Sequence, residues 1–345
     1  VVDGEAELVV PELFKDLMEG RAEGPLIVKV PPSKAPNPDQ IPRLKGATIG
    51  GLVEVSRGCG RGCAFCLPTL RKLRHRPLRD IIADVEVNVK AGKRDICLHA
   101  EDVLRYGASP LSLEPKRVVE LFKAVTSVEG VRGVGISHAA LSSIASRPDL
   151  LEELSSILEL GPRKWVGFQT GIETGSSRLM ESLMRMKPYP FKPEEWPDVV
   201  EKAFATCAEN HWVPCATLIV NLPGEREEDI EATVQLVERL RPYKSLMVPL
   251  LYVPPPGSKH KPMRMVEDAT PQHLELYRAV LRHDLEWLIE LADDYARYLN
   301  PITRALTKRL ARLIKRYIER KVAELLKGGE AMPAAEQLTT PSALN

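Results

Sequence analysis

The sequence predicts an α/β fold: a partial (β/α)6 TIM-like barrel of parallel strands, followed by a C-terminal helical extension. Three observations carry this. From residue 51, six apolar strand-like runs alternate with helical patterns, the order that builds a parallel sheet with right-handed crossovers. The loop after the first run holds three cysteines, and in such folds the loops after the strands carry the chemistry. Beyond a proline run at 254–256 the pattern becomes wholly helical.

Taken in order, residues 1–20 read as a strand end, a glycine turn and a helix over Pro11 to Glu19, too little to form a core alone. The chain opens without Met, which is expected of a processed start or a fragment of something longer. Residues 31–43 carry Pro31, Pro32, Pro36, Pro38 and Pro42 and read as an extended linker. The expected strands are Leu52–Val55, Asp95–His99, Gly133–Ser137, Trp165–Thr170, Pro214–Val220 and Ser245–Tyr252. The helical patterns between them run over Leu78–Ala91, Glu114–Val125, Pro148–Leu158, Pro193–Asn210 and Glu227–Leu240. After the breaker Val253–Ser258 come helices over Pro271 to about Tyr298 and over Ile302–Lys327. These divide the chain into a stub and linker (1–48), a core (49–262), a helical region (263–328) and a disordered tail (329–345).

Lys and Arg balance Asp and Glu to a net charge of +1, which gives no signal for a bulk nucleic-acid partner. No run is long and apolar enough for a membrane span, and no signal peptide is visible, so a cytoplasmic protein is the expectation. The six cysteines are three clustered (Cys59, Cys63, Cys66) and three scattered (Cys97, Cys207, Cys215). The scattered three read as buried small hydrophobes. The clustered three, at C-x3-C-x2-C spacing, read as metal ligands. Zinc normally takes four ligands, and no fourth Cys or His follows closely. An iron–sulfur cluster on three thiolates leaves one iron open.

Two histidines, His99 and His138, end strands on the loop-bearing side and read equally as substrate contacts or satisfied histidines. The run Arg71, Lys72, Arg74, Arg76, Arg79 reads as a solvated loop, with an anionic substrate or a reductase as the alternative occupant. The helix from Ile302 is amphipathic, with Ile302, Leu306, Leu310, Leu313, Tyr317, Val322 and Leu325 near one face and a basic opposite face. It reads first as a packing helix and second as an interfacial helix near anionic lipid, peripheral to a membrane.

The cysteine spacing, the strand before it and Phe65 beside the last cysteine resemble the cluster motif of the radical S-adenosylmethionine (SAM) superfamily. The resemblance covers about residues 49–258. It implies an enzyme in which Cys59, Cys63 and Cys66 hold a catalytic 4Fe–4S cluster. The open iron would bind the amino and carboxylate groups of SAM, and one electron would cleave SAM to methionine and a 5′-deoxyadenosyl radical that abstracts hydrogen from a substrate. Leu98-His99-Ala100-Glu101-Asp102 stands where the family has Gly-Gly-Glu; the glycines are absent, and Glu101 matches the acceptor for the SAM amino group. Gln169 to Ser176 resembles the ribose-binding segment, with Glu173 on the ribose hydroxyls and Ser176 continuing the motif. By likeness to the methylthiotransferase branch, Arg185 pairs with the SAM carboxylate; a solvated helix face is its other reading. Leu218 to Glu225 resembles the adenine-binding G-x-I-x-G-x-x-E segment through Val220 and Asn221, with Asn221 in place of the second glycine.

Residues 1–7 look like the end of a cobalamin-binding domain, but no D-x-H-x-x-G signature occurs in the chain, so cobalamin is not expected for this chain alone. The pattern as a whole looks most like archaeal radical SAM proteins of the cobalamin-associated group, some of which modify membrane lipids. The resemblance therefore extends to a lipid substrate, with a ferredoxin or flavodoxin as electron donor. The alternatives are methylthiolation of RNA or protein, and a non-catalytic iron–sulfur or zinc protein.

Overall fold

The computed structural model describes residues 2–21, 27–31, 35–66, 68–109, 112–254, 258–297 and 299–327. The expected tail from residue 329 and residues 255–257 of the breaker lie outside them.

Six strands run parallel: β3 (Leu52–Glu54), β6 (Asp95–His99), β7 (Gly133–Ile136), β8 (Val166–Glu173), β9 (Trp212–Val220) and β10 (Leu246–Leu251). Four short strands, the pair β1 (Val2–Asp3) and β2 (Val28–Lys29) and the hairpin partners β4 (Ser56–Arg57) and β5 (Arg74–His75), complete the set. The order β3-β6-β7 is hydrogen-bonded in one group and β8-β9-β10 in another. The two groups join where β7 runs on: His138 bridges Gln169 in parallel, and Gln169 N–H donates to Ser137 O at 2.8 Å. The six strands thus follow sequence order across one sheet. Among the described residues β3 and β10 do not pair with each other, so the barrel is open.

The crossovers are helical because each carries an apolar stripe at helical period. They are α2 (Leu78–Lys90), α3 (Pro115–Thr126), α5 (Pro148–Ile157), α7 (Trp196–Glu209) and α8 (Glu227–Arg239). Ile81 and Val85, Leu121 and Phe122, Leu150 and Leu154, and Val200 and Phe204 bury these stripes against Val53, Leu98, Ile136, Phe168 and Leu218. Two helices were not expected: α4 (Leu141–Ser146) and α6 (Ser177–Met184). Both are under nine residues, too short for a periodic pattern to stand out. Ser176 starts α6 by accepting from Leu179 N–H at 3.2 Å.

The reading of Arg74 and Arg76 as solvated does not hold. Both lie on one face of the β4–β5 hairpin and are buried, where carboxylates await them. Arg74 meets Glu5 at 2.5 Å and Arg76 meets Asp84 at 2.5 Å. Arg57, across the hairpin, pairs with Glu5 and Glu7 at 2.7 Å each and with Glu54. Burial disfavours charge on Glu5, but Arg74 and Arg57 outweigh it and hold the carboxyl below its usual pKa. These pairs bind residues 5–7, which precede α1 (Val10–Met18), to the hairpin. The segment just after the Pro-rich stretch is likewise anchored: Leu44 N–H donates to Asp84 and Thr48 N–H to Asn88, along the buried polar edge of α2.

Cys97 and Cys215 are also corrected. Only Cys207 is buried; the other two are half-buried, on the strand faces that alternate away from the helices. After β10 the chain continues through α9 (Met265–Asp268), α10 (Pro271–Ala296) and α11 (Pro301–Lys327). Contacts divide the chain into two compact units, with the division between Asp284 and Leu285. In the second unit Arg304 pairs with Asp293 at 2.7 Å, and Ile302, Leu306, Leu310, Leu313 and Tyr317 are exposed. Among the described residues no helix is long and apolar enough to cross a membrane.

Candidate active site

The cysteine loop leaves β4 and returns on β5, so the antiparallel pair clamps both its ends. Cys59 N–H donates to Leu70 O at 3.1 Å, and Arg105 donates to Cys59 O. Gly58 has φ +77°, and a Cβ there would lie 2.3 Å from Lys72 O. The loop closes this tightly only with glycine at that position. At the far end Cys66 N–H donates to Cys63 O, and Ala64 N–H reaches Leu183 O on α6 at 2.8 Å.

Behind the loop sits a buried polar knot. Arg61 pairs with Asp102 at 2.9 Å and donates to Ser143 Oγ at 3.0 Å. Asp102 also accepts from Ser143 Oγ at 2.7 Å and from Ala140 N–H at 3.2 Å.

The loop forms one wall of a cavity of about 400 Å³ at the C-terminal ends of the strands. Cys59, Cys63, Cys66, Phe65, Glu101 and Glu173 line it together with Arg61, His99, His138, Gln169, Thr170, Lys187, Trp196 and Thr217. Six of the sequence-predicted site residues are thus brought together. The other four stand elsewhere. Ser176 is buried and donates to Asp229 at 2.5 Å. Arg185 ends α6, exposed, and pairs with Glu181 one turn back. Val220 is buried, with its carbonyl engaged by Tyr252 N–H. Asn221 takes φ +66°, a conformation Asn tolerates, and its N–H donates to Glu225 at 2.8 Å.

Beside Arg61, which is taken up by Asp102, the cavity holds a second cation that sequence reasoning missed, Lys187. Its ammonium lies 2.8 Å from Glu173. Burial works against its charge, but Glu173 outweighs this and holds its pKa above the usual value. A group raised in this way contributes fully below its unfolded pKa and fades only as pH rises past the folded value, so Lys187 stays charged at neutral pH. Gly171 makes room for it, since a Cβ there would meet Glu173 Oε1 at 1.9 Å.

Among the described residues, two buried oxygens on this cavity have no partner: Glu101 Oε2 and Thr170 Oγ1. Such groups are costly unless something else satisfies them, so they mark where a ligand bearing donors belongs. The donor set also suits a polynuclear cluster. Among the described residues no three His, Cys, Asp or Glu side chains converge on a single ion position, whereas a cluster takes one thiolate per iron and spans a wider wall. Burial raises the Cys63 pKa and pushes that of Cys66 up to about 11, with the other thiolates adding to the rise for Cys66. Iron binding here must therefore displace protons.

A second cavity, of about 730 Å³, is walled by residues 4–7, Val10 and Pro11 on one side and Glu54, Arg57 and Leu70 on the other. His99 and Glu101 line both cavities.

Glu225 gives a pH prediction. Burial raises its pKa to about 7, although Asn221 and Leu222 N–H favour the carboxylate. Unfolded, it titrates near 4.5. Between these values the folded state holds more protons, so stability rises as pH falls from about 7.5 to about 5, by on the order of 2–3 kcal/mol from this group. Thermal melts of Glu225→Gln across that range are expected to lose this part of the slope.

The Radical SAM superfamily model matches residues 53–237. A tRNA-2-methylthio-N(6)-dimethylallyladenosine synthase of Magnetococcus marinus is 28% identical over 205 residues, 59% of this chain and 44% of that protein. The ribosomal protein uS12 methylthiotransferase RimO of Leptospira biflexa is 28% identical over 209 residues, 60% of this chain and 42% of that protein. The chain spans about half the length of these curated relatives. Among solved structures, the radical S-adenosylmethionine methyltransferase TsrM of Kitasatospora setae, with cobalamin and a [4Fe-4S] cluster bound, superposes with a TM-score of 0.51 at 16% identity, over 72% of this chain and 52% of that one. That likeness is one of fold.

Proposed function

The chain belongs to the radical SAM superfamily, enzymes that use a 4Fe–4S cluster and SAM, and from that premise we propose that it generates a radical at the 400 Å³ cavity and uses it to modify a substrate. Bound at that cavity by Cys59, Cys63 and Cys66, a 4Fe–4S cluster would supply the one-electron reduction of SAM from which the radical chemistry on the substrate derives. The chain's own part is to hold and to exclude. Cys59, Cys63 and Cys66 hold the cluster, on a loop clamped by the hairpin and the Arg61–Asp102 knot. Glu101 Oε2, buried and unpartnered, accepts from the SAM ammonium. Glu173, paired with Lys187, accepts from the ribose hydroxyls, and Thr170 Oγ1 supplies a further polar contact. Phe65, Leu141 and Trp196 line the remaining wall with apolar surface and keep water out.

The observation that carries this reading is the meeting, in one cavity, of three cysteines with the orphaned Glu101 oxygen. Glu101→Gln tests it. The amide turns a donor toward the ammonium, and SAM affinity measured by calorimetry on the cluster-loaded protein is expected to fall about 10- to 100-fold with the cluster intact. Unchanged affinity removes Glu101 from the site.

Arg185 fits the SAM carboxylate less well, because it is exposed and already paired with Glu181; Lys187 is the cation at hand. Methylthiolation of an RNA or protein is a second reading, favoured by the methylthiotransferase relatives. A lipid substrate has no support among these comparisons. A small ferredoxin or flavodoxin is the proposed electron donor.

A further inference from the structure

In α11, Ile302, Leu306, Leu310, Leu313 and Tyr317 follow one another at spacings of four, four, three and four residues. They therefore share one face of the helix and form a stripe about 22 Å long. Each of them is between 54% and 75% exposed. The buried side of α11 is a different one. It is marked by Ala311, and Arg304 and Lys308, one and two turns before it, pair with Asp293 of α10 at 2.7 and 3.3 Å. The reading of α11 as a helix that packs by its apolar face thus does not hold. A continuous apolar stripe left in water is costly, and such patches mark surfaces that something else covers.

The charge beside the stripe says what covers it. Arg309 stands three residues from Leu306 and four from Leu313, Arg316 three from Leu313, and Arg320 three from Tyr317, so these side chains border the stripe along one flank, with Arg312 behind them. All four arginines are exposed, and none has a hydrogen-bond or ion partner among the described residues. Glu319 is the one acid between Pro301 and Lys321, and it faces Lys315 at 3.9 Å. No carboxylate of this helix therefore answers the arginines. A second copy of α11 would set arginines against a surface with no acid to meet them. RNA would engage the guanidiniums but would leave four aliphatic side chains at the centre of the face without an apolar partner, and only Tyr317 could stack on a base. An anionic lipid surface satisfies both features at once: the leucines enter the acyl boundary and the long arginines reach back to the phosphates.

We propose that α11 docks flat on a membrane surface rich in anionic phospholipid, with the Ile302–Tyr317 stripe sunk about 5–10 Å into the headgroup–acyl boundary and Arg309, Arg312, Arg316 and Arg320 on lipid phosphates. Among the described residues no helix can cross the bilayer, so the contact is peripheral. The lipid is the docking surface and not the substrate, and the inference does not depend on the radical chemistry.

Flotation of the cluster-loaded full chain with vesicles tests it. Vesicles of phosphatidylcholine containing about 30% phosphatidylglycerol are expected to carry the protein, and phosphatidylcholine alone to bind it about 100-fold more weakly, since each arginine near an anionic surface contributes about fivefold. Arg309→Gln with Arg316→Gln is expected to weaken binding to the anionic vesicles about 25-fold. Leu310→Gln leaves the charge unchanged and is expected to weaken it about tenfold through the lost apolar contact. All these positions are exposed, so circular dichroism is expected to match the unaltered protein, and Leu306→Gln gives the same reading should Leu310→Gln misfold. Binding that is absent, that is equal on the two kinds of vesicle, or that the leucine variants leave untouched overturns the proposal. So does binding to tRNA, or a dimer that Leu310→Gln breaks, in a protein that ignores the vesicles. Formation of 5′-deoxyadenosine is expected to be the same in these variants as in the unaltered protein, so its absence throughout would sink the radical reading and leave the membrane contact standing.

Discussion

Cys59→Ala is expected to abolish SAM cleavage, lowering 5′-deoxyadenosine formation by about 10³-fold or more, to background. The three cysteines lie within one loop, and the other three, Cys97, Cys207 and Cys215, do not line the cavity, so no spare thiolate stands by. Iron content after anaerobic reconstitution is expected to fall with it. The fold is expected to survive, because Cys59 is half-buried and the loop is held by the hairpin and by Arg105 on the Cys59 carbonyl, which alanine retains. Circular dichroism and the melting temperature check this. A variant that keeps its cluster and its activity would show that these cysteines are not the ligands.

The largest effect on stability is expected at Asp102. It is almost fully buried and meets Arg61, also buried, at 2.9 Å. Asp102→Ala leaves the Arg61 guanidinium inside the protein with only the Ser142 and Ser143 hydroxyls as acceptors. Breaking one side of a buried pair costs about 3–5 kcal/mol. Replacing both partners by apolar residues, Arg61→Met with Asp102→Leu, removes the stranded charge and is expected to recover most of that loss. Denaturant unfolding of the two single variants and the double variant measures the coupling. Additive losses would mean that the pair contributes nothing beyond its separate packing. Because Arg61 lies in the cysteine loop, the single variants are also expected to hold the cluster less well.

Much of this was legible in the sequence where the signal is local. The cysteine spacing sits within eight residues, Cys59 to Cys66, and the six parallel strands show as apolar runs between helical patterns. What escaped is what forms over long separations. Lys187 gives no local signal because its meaning comes from Glu173 on the far side of α6, 14 residues away, while Arg185 matches a family pattern and points away. Arg74 and Arg76 looked solvated because a basic run usually is. Their burial depends on Glu5, 69 residues from Arg74, and on Asp84 from α2, which no spacing rule connects to them. Ser176 reads as a motif residue, but its oxygen caps α6 and binds Asp229, 53 residues on. Cys97 and Cys215 have the residue type of core positions, and only the strand alternation turns them toward the open face.

The central claim is that the three-cysteine cavity builds a cluster that cleaves SAM. The most direct measurement is anaerobic reconstitution with iron and sulfide, followed by a chemical reductant and SAM, with iron, acid-labile sulfide and 5′-deoxyadenosine quantified together. The expected result is about four iron and four sulfide per chain and 5′-deoxyadenosine that appears only when reductant is present. A protein that takes up zinc or a single iron instead, or that forms the cluster and yields no 5′-deoxyadenosine, would contradict the account.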